Sequence, residues 1–336
     1  MDIQLMKHLG NMEQVAGIRE SVLSHGRSKG VQLATFYNAA GLEFSVVPDR
    51  CMDLYDFRYK GVNFAFLSKN GLTPPLTPVS DAGLFTRHWQ GGMMVTCGLD
   101  NVGLGCLNCP THGSITDTPA SQFGVESRWE GDEYILRASG TVQDALLYGR
   151  HLTLHRTLET GLYRKSVSLR DVITNHDCAP QPYQLLYHFN FGYPLLQAGT
   201  RAAFTHAQVQ PITELSSGHR SMLPPEDGRG EELYLHTDLP EQACGVLYHE
   251  DRGLGAYVRW DTTHLPQMFQ WKLMKSHDYV AAFEPCNNGG QNREQALASG
   301  TIATIHAYSS IEIHLELGVL DGTDAIRQFL AEHACQ

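Results

Sequence analysis

The chain has 336 residues, 42% of them apolar, and carries 13 Phe, 14 Tyr and 4 Trp, enough to build a large buried core. A formal net charge of −11 and the lack of any Lys/Arg block argue against nucleic acid or an anionic membrane as partner. No apolar run approaches the roughly 18 residues that span a bilayer. The opening "MDIQLMKHLGNMEQVAG" lacks the apolar stretch of a signal peptide, so a cytoplasmic protein is expected. Eight cysteines scattered over so long a chain then read as free thiols, mostly buried.

Taken in chain order, period-two patterning predicts strands at 31–37 ("VQLATFY"), 42–47, 134–140, 150–159 and 164–173. It continues at 256–260, 267–273, 301–308 and 311–320. β-Branched and aromatic residues fill these stretches, and Gly, Pro, Asn and Asp punctuate them. Helical segments of the kind that join parallel strands are missing between them. Only 322–333 ("GTDAIRQFLAEH") reads as a helix, with Ala325, Ile326, Phe329 and Leu330 on one face and Thr323 as its cap. The segments 72–83 and 216–232 read as Pro/Gly-rich loops. The expected fold is all-β: large antiparallel sheets packed face to face in a single unit over 1–336, with few short helices.

Four polar islands break the patterns. They are 46–57, with Asp49, Arg50 and Asp53; 87–103 with its continuation at 109–120; the stretch around His188 in "YQLLYHFNFGYPLL" (183–196); and 280–294, where Glu284 closes the apolar run "YVAAF". A carboxylate ending a buried strand and a histidine inside another are costly to bury unless paired or used. Pro285 cannot donate to a ladder, so the strand is expected to stop there with Glu284 facing an opening. Taken alone, His188 reads equally as a satisfied core histidine, and Glu284 as an ordinary strand-end carboxylate.

Five segments in this order carry a resemblance to a known family: "PDRCMDL" (48–54), "GGMMVTCGLDNVG" (91–103), "THGSITDTPA" (111–120), "LLYHFNFGYPLL" (185–196) and "FEP" (283–285). The chain resembles the aldose 1-epimerases, or galactose mutarotase-like proteins, and more closely their uncharacterised, domain-of-unknown-function branch. The resemblance runs from residue 11 to residue 320 and implies a β-supersandwich with a sugar site on a concave sheet face. It also implies roles. His112 in "THGS" and His188 flank the sugar ring oxygen, and Glu284 in "AFEP" acts as base. The aspartate that classical galactose enzymes place on sugar hydroxyls has no confident match here.

These residue types suit ring opening at an anomeric carbon. One group removes the hydroxyl proton and another protonates the ring oxygen. Histidine exchanges protons near neutrality, and partial burial raises a carboxylate toward a useful pKa. No cofactor is required. Tyr187 and Trp271 are candidates to wall the sugar, with Phe189 beside them. Arg87, Asn101, Lys272 and Arg50 are candidates to hold hydroxyls or a charged substituent, though each also reads as a structural polar group. Cys106, Cys109 and His112 have the spacing C-x₂-C-x₂-H, with Cys97 a conceivable fourth ligand, but no metal is expected. Three readings therefore stand: an aldose mutarotase, a carbohydrate-binding protein without turnover, and a metal-dependent sugar isomerase. A homodimer fits each of them.

Overall fold

The computed structural model describes residues 3–75, 82–107 and 109–336. The proline-rich loop expected at 72–83 lies outside the described residues at 76–81. The strands are β1 (Gly17–Val22), β2 (Gln32–Tyr37), β3 (Leu42–Val47), β4 (Asp53–Tyr59), β5 (Val62–Asn63), β6 (Met94–Leu99), β7 (Ser121–Glu130), β8 (Glu133–Ala145), β9 (His151–Gly161), β10 (Ser166–Asn175) and β11 (Gln181–Phe191). They continue with β12 (Arg201–Phe204), β13 (Gln208–Pro211), β14 (Glu232–Thr237), β15 (Gln242–His249), β16 (Leu254–Asp261), β17 (Gln267–Lys275), β18 (Asp278–Cys286), β19 (Ala303–Ile305) and β20 (Ser310–Asp321). Among the described residues four short α-helices accompany them: α1 (Ile3–Met6), α2 (Ala82–His88), α3 (Arg293–Ser299) and α4 (Thr323–Glu332). Among the described residues no helix is long and apolar enough to cross a membrane.

The strands form two antiparallel sheets. One has 12 strands, in the order β1-β2-β3-β4-β6-β11-β18-β17-β14-β13, with β5 beside β4 and β19 beside β11. The other has eight, in the order β12-β15-β16-β20-β10-β9-β8-β7. The sheets share a core that includes Phe36, Phe44, Phe57, Phe283 and Trp260. Strands of the smaller sheet such as β9 and β10 alternate buried and exposed residues, as expected with one face on the core and one in water. The centre of the larger sheet differs. Strands β6, β11 and β18 are buried almost continuously. Their second face is covered as well, which is why "YQLLYHFNFGYPLL" is apolar on both phases of its alternation.

Three local expectations are corrected. The strand predicted at 301–308 is only Ala303–Ile305. Thr323 is the first helical residue of α4 rather than its cap; Gly322 holds that position, and the Thr323 hydroxyl donates to the Glu250 carbonyl. Strand β18 runs one residue past Pro285, which is aligned with Met268 of β17. On its other side the β18 ladder with β11 is broken between Leu186↔Cys286 and Phe189↔Phe283. Pro285 has no N–H to give there, and His188 and Glu284 stand in the gap.

Between the sheets lies the fully buried guanidinium of Arg156 on β9. Its Nε and Nη2 donate to the two carboxylate oxygens of Asp171 at 2.9 and 2.6 Å. Its Nη1 donates to the Cys51 carbonyl and to Asp53 Oδ1, at 2.9 and 3.2 Å, in the other sheet. Removing one partner of such a buried group leaves the other charges uncompensated. Arg156→Met is expected to destabilise the fold by about 3–5 kcal/mol, read as a lowered urea midpoint at unchanged slope. A loss under 1 kcal/mol would show that the centre is not ionic in the folded protein.

Candidate active site

Antiparallel register brings the acid/base candidates together. Even-numbered residues of β11 face away from the intersheet core, and so do even-numbered residues at the end of β18. Leu186 and Cys286 therefore join Val95, Cys97, Val102 and Phe269 in a small apolar cluster on that second face. His188 and Glu284 continue the same rows, with His188 Nε2 3.3 Å from Glu284 Oε1. Trp271 of β17 extends the face, its ring centroid 5.8 Å from that of His188 and nearly perpendicular to it.

A loop and a helix close the other side. His112 adopts φ +60°, and its backbone is tied at both groups: its N–H donates to the Gly103 carbonyl, and its carbonyl accepts from Gly98 N–H. Gly113 follows at φ +78°. A Cβ there would run into Asp100 Oδ1 and the carbonyls of Gly98 and Asn101, so the turn dictates the glycine after His112. Asp100 fixes the next residue by accepting from Ser114 N–H and Oγ–H at 2.9 and 2.8 Å. The His112 ring lies 5.8 Å from His188 and 5.4 Å from Phe85. Trp89, which prolongs α2 through a hydrogen bond from its N–H to the Phe85 carbonyl, packs 5.5 Å from His188 and 5.9 Å from Trp271. Phe85, Trp89 and Trp271 thus form an aromatic cup around two imidazoles and one carboxyl. The sequence reading did not single out Phe85 or Trp89. "FTRHW" carries no strand or motif signal, and only the packing of α2 shows which of its faces matters.

Burial sets the electrostatics. Glu284 is 4% exposed and His188 5%. Burial, with the Glu231 charge adding to it, pushes Glu284 up to about 8. Burial first, and then His112, lower His188 to about 3; burial lowers His112 to about 4. At neutral pH Glu284 is therefore protonated and both imidazoles are neutral. Glu284 Oε1, His188 Nδ1 and His112 Nδ1 are buried and have no hydrogen-bond partner. Buried polar atoms are rarely left so, and three in one cup are what a polar ligand would satisfy. The neighbouring Cys286 thiol is pushed up to about 12 by burial, so it supplies no thiolate nucleophile at neutral pH.

The other predicted residues go elsewhere. Tyr187 is turned the opposite way from His188, as consecutive strand residues must be. Its hydroxyl donates to Asp171 Oδ2 at 2.6 Å between the sheets, so it does not wall the cup. Phe189 lies in the same core. Lys272 alternates with Trp271 in the same manner. Its Nζ is spent on Ser217 Oγ, the Gly218 carbonyl and Glu232 Oε2 at 3.0, 2.8 and 3.3 Å. Asn101 braces its own loop, donating to the Leu104 and Pro110 carbonyls and accepting from Arg293 N–H. Arg50 is buried against Asp117 at 3.0 Å and His88 at 2.6 Å. Arg87 is exposed and half a turn around α2 from Phe85 and Trp89. Of the six residues expected to contact substrate, only Trp271 lines the cup. Among the described residues no three His, Cys, Asp or Glu side chains converge as a metal site. Cys106 and Cys109 face each other across two backbone hydrogen bonds, while His112 turns into the cup. All eight cysteines are free thiols and six of them are buried.

The raised Glu284 has a consequence for stability. Its folded value of about 8 lies above the ordinary 4.5, so this group's contribution is complete below about 4.5 and is lost as pH rises through about 8. The lowered histidines act in the opposite sense, costing stability as pH falls below about 6.5. Glu284→Gln removes only the first effect. The difference in Tm, variant minus wild type, is expected to grow by several degrees between pH 5 and pH 9. A difference independent of pH would mean that Glu284 ionises in the folded protein as it does in water.

Comparison with known proteins accords with this architecture. A family profile described as a domain of unknown function, DUF4432, matches residues 28–319. No curated protein matches the chain. Among solved structures, one from Klebsiella pneumoniae, provisionally named an aldose 1-epimerase, superposes with a TM-score of 0.87 at 23% identity, covering 94% of this chain and 86% of its own. A galactose mutarotase-like protein from Clostridium acetobutylicum gives 0.58 at 13% identity, over 92% of this chain and 99% of its own. The galactose 1-epimerase of Lactobacillus acidophilus gives 0.55 at 12% identity, over 91% and 99%. At these identities the shared property is the fold. With its two antiparallel sheets and the profile covering most of its length, the chain belongs to the DUF4432 family and has the galactose mutarotase-like fold.

Proposed function

We propose that the protein is an isomerase of the aldose 1-epimerase type, interconverting the α and β anomers of a sugar by acid/base ring opening and closure. The observation that carries this reading is the convergence of Glu284 Oε1, His188 Nδ1 and His112 Nδ1, buried and unpartnered, inside an aromatic cup. Aromatic faces suit the C–H faces of a sugar ring, and the three polar groups suit its hydroxyl and ring oxygens. Glu284 takes the anomeric hydroxyl proton as the C1–O5 bond breaks, and His188 returns a proton to O5. The carbonyl formed at C1 rotates, and the reverse transfers close the ring on its other face. His112 orients the substrate and stabilises charge on oxygen.

Glu284 and His188 lie 3.3 Å apart and hold one proton between them in the neutral range. The carboxylate–imidazolium form contains the same number of protons, so a bound sugar that stabilises it shifts the proton within the pair. Above about 8 the pair loses it, so kcat/KM for anomer exchange is expected to fall as pH rises through that value. A rate that instead climbs through pH 8 would assign catalysis to the Glu284 carboxylate acting without a protonated partner.

Saturation-transfer NMR on a panel of aldoses tests the reading, because it detects anomer exchange directly. Glu284→Gln is expected to slow exchange roughly 10²–10⁴-fold, the usual scale for a positioned base, with little change in binding. His188→Asn is expected to cost rate at every pH without unfolding the protein, and His112→Asn to cost less or to weaken binding. Exchange within about threefold of wild type in Glu284→Gln would remove that residue from the mechanism. Binding with no exchange by the wild type would favour the carbohydrate-binding alternative.

A further inference from the structure

The charge of the sugar can be read from what surrounds the cup. Three cations were candidates to grip an anionic substituent, and all three are directed away. Lys272 lies under the sheet against Glu232, Arg50 is buried against Asp117, and Arg87 is exposed at a helical position opposite Phe85 and Trp89. A carboxylate takes their place. Glu231 is exposed at the residue before β14, in phase with Leu233 and Leu235, which pack on the site face of the large sheet. Its Oε2 accepts a hydrogen bond from Trp271 Nε1 at 3.0 Å. Its other oxygen has no hydrogen-bond partner among the described residues. The indole it holds stands edge-on to His188 and to Trp89. The charge of Glu231 also acts on buried Glu284. The net charge of −11 sets the wider field in the same sense.

We propose that Glu231 is a specificity-determining and positioning residue of this site: its carboxylate anchors Trp271 against His188 and keeps the mouth negative, so that the enzyme acts on uncharged aldoses and rejects sugars bearing phosphate or carboxylate. The inference rests on the sugar-site reading above. Repulsion is its main term, since an anionic substituent entering a partly desolvated mouth meets the like charge of Glu231, while Lys272 and Arg50 are committed to Glu232 and Asp117.

The probes are D-glucose and D-galactose with their 6-phosphates and uronates. Exchange is followed by saturation transfer and binding by ligand-observed NMR. The wild type is expected to favour the neutral sugars at least tenfold in kcat/KM at low salt, with the preference shrinking as ionic strength rises. Glu231→Gln keeps an acceptor for the indole but removes the charge. The neutral-to-anionic ratio is expected to fall about tenfold, chiefly through KM of the anionic sugars. Glu231→Leu removes the anchor too, and is expected to lower kcat on neutral sugars further than Glu231→Gln at similar Tm. An unchanged ratio in Glu231→Gln, or a wild type that prefers the anionic sugars, overturns the proposal. Neutral sugars bound in preference but never exchanged would support the charge selection while defeating the isomerase reading. No binding of any of the six sugars would defeat both.

Discussion

The guanidinium of Arg156 is the point on which the two sheets are registered. It is buried without exposure, reaches Asp171 beside it in the smaller sheet, and crosses to Asp53 and the Cys51 carbonyl in the larger one. Each acceptor is committed further. Asp171 Oδ2 also takes the Tyr187 hydroxyl, which pins the core face of β11. Asp53 accepts from Thr96 of β6 and from Thr116, just after the His112 loop. An ionic centre of this kind is stable only when every member is satisfied. Its geometry therefore fixes the backs of β6 and β11 and one end of the loop. The opposite faces of those elements present His188 and His112 to the cup. The residue that sequence analysis offered as a sugar wall, Tyr187, serves instead as a brace behind it.

Burial gives the candidate site its chemistry and its instability together. The same desolvation that raises the Glu284 carboxyl lowers both imidazoles, so the resting cup is uncharged. Each of these shifts is paid by the fold. Proline 285 adds a second concession: it interrupts the β11–β18 ladder where His188 and Glu284 meet, giving up backbone hydrogen bonds at the centre of a sheet. Sites that hold acid and base close together regularly carry such local costs, and the rest of the core must absorb them.

Charge is sorted by strand phase. On β17, Trp271 and Lys272 are neighbours in sequence, yet one lines the cup and the other pairs with Glu232 beneath the sheet. At the end of β14 the same alternation sends Glu232 inward to Lys272 and Glu231 outward to the Trp271 indole. The mouth is left with a carboxylate and the underside with the compensated cation. A single-residue slip of either strand would exchange them.

The amino-acid sequence by itself determined the fold class and singled out the acid/base candidates. Alternation over 150–159, 164–173 and 311–320 reports one wet face and one dry face directly, and those strands are present as β9, β10 and β20. A histidine inside an apolar strand and a glutamate closing another were conspicuous because burial makes them costly, and the structure brings the two together. Period two does not report which phase of a doubly covered strand faces the ligand, so Tyr187 and Lys272 were assigned to the wrong side. Nor does it carry contacts between residues far apart in the chain. Phe85, Trp89 and Glu231 come from a short helix and a loop end with no periodic signal, and they join the cup only through packing against residues 27, 99 and 40 positions away in sequence. Local pattern encodes hydrophobicity along a strand; the neighbours of its two faces are set by tertiary register, and that alone decided which polar residues became a site and which became struts.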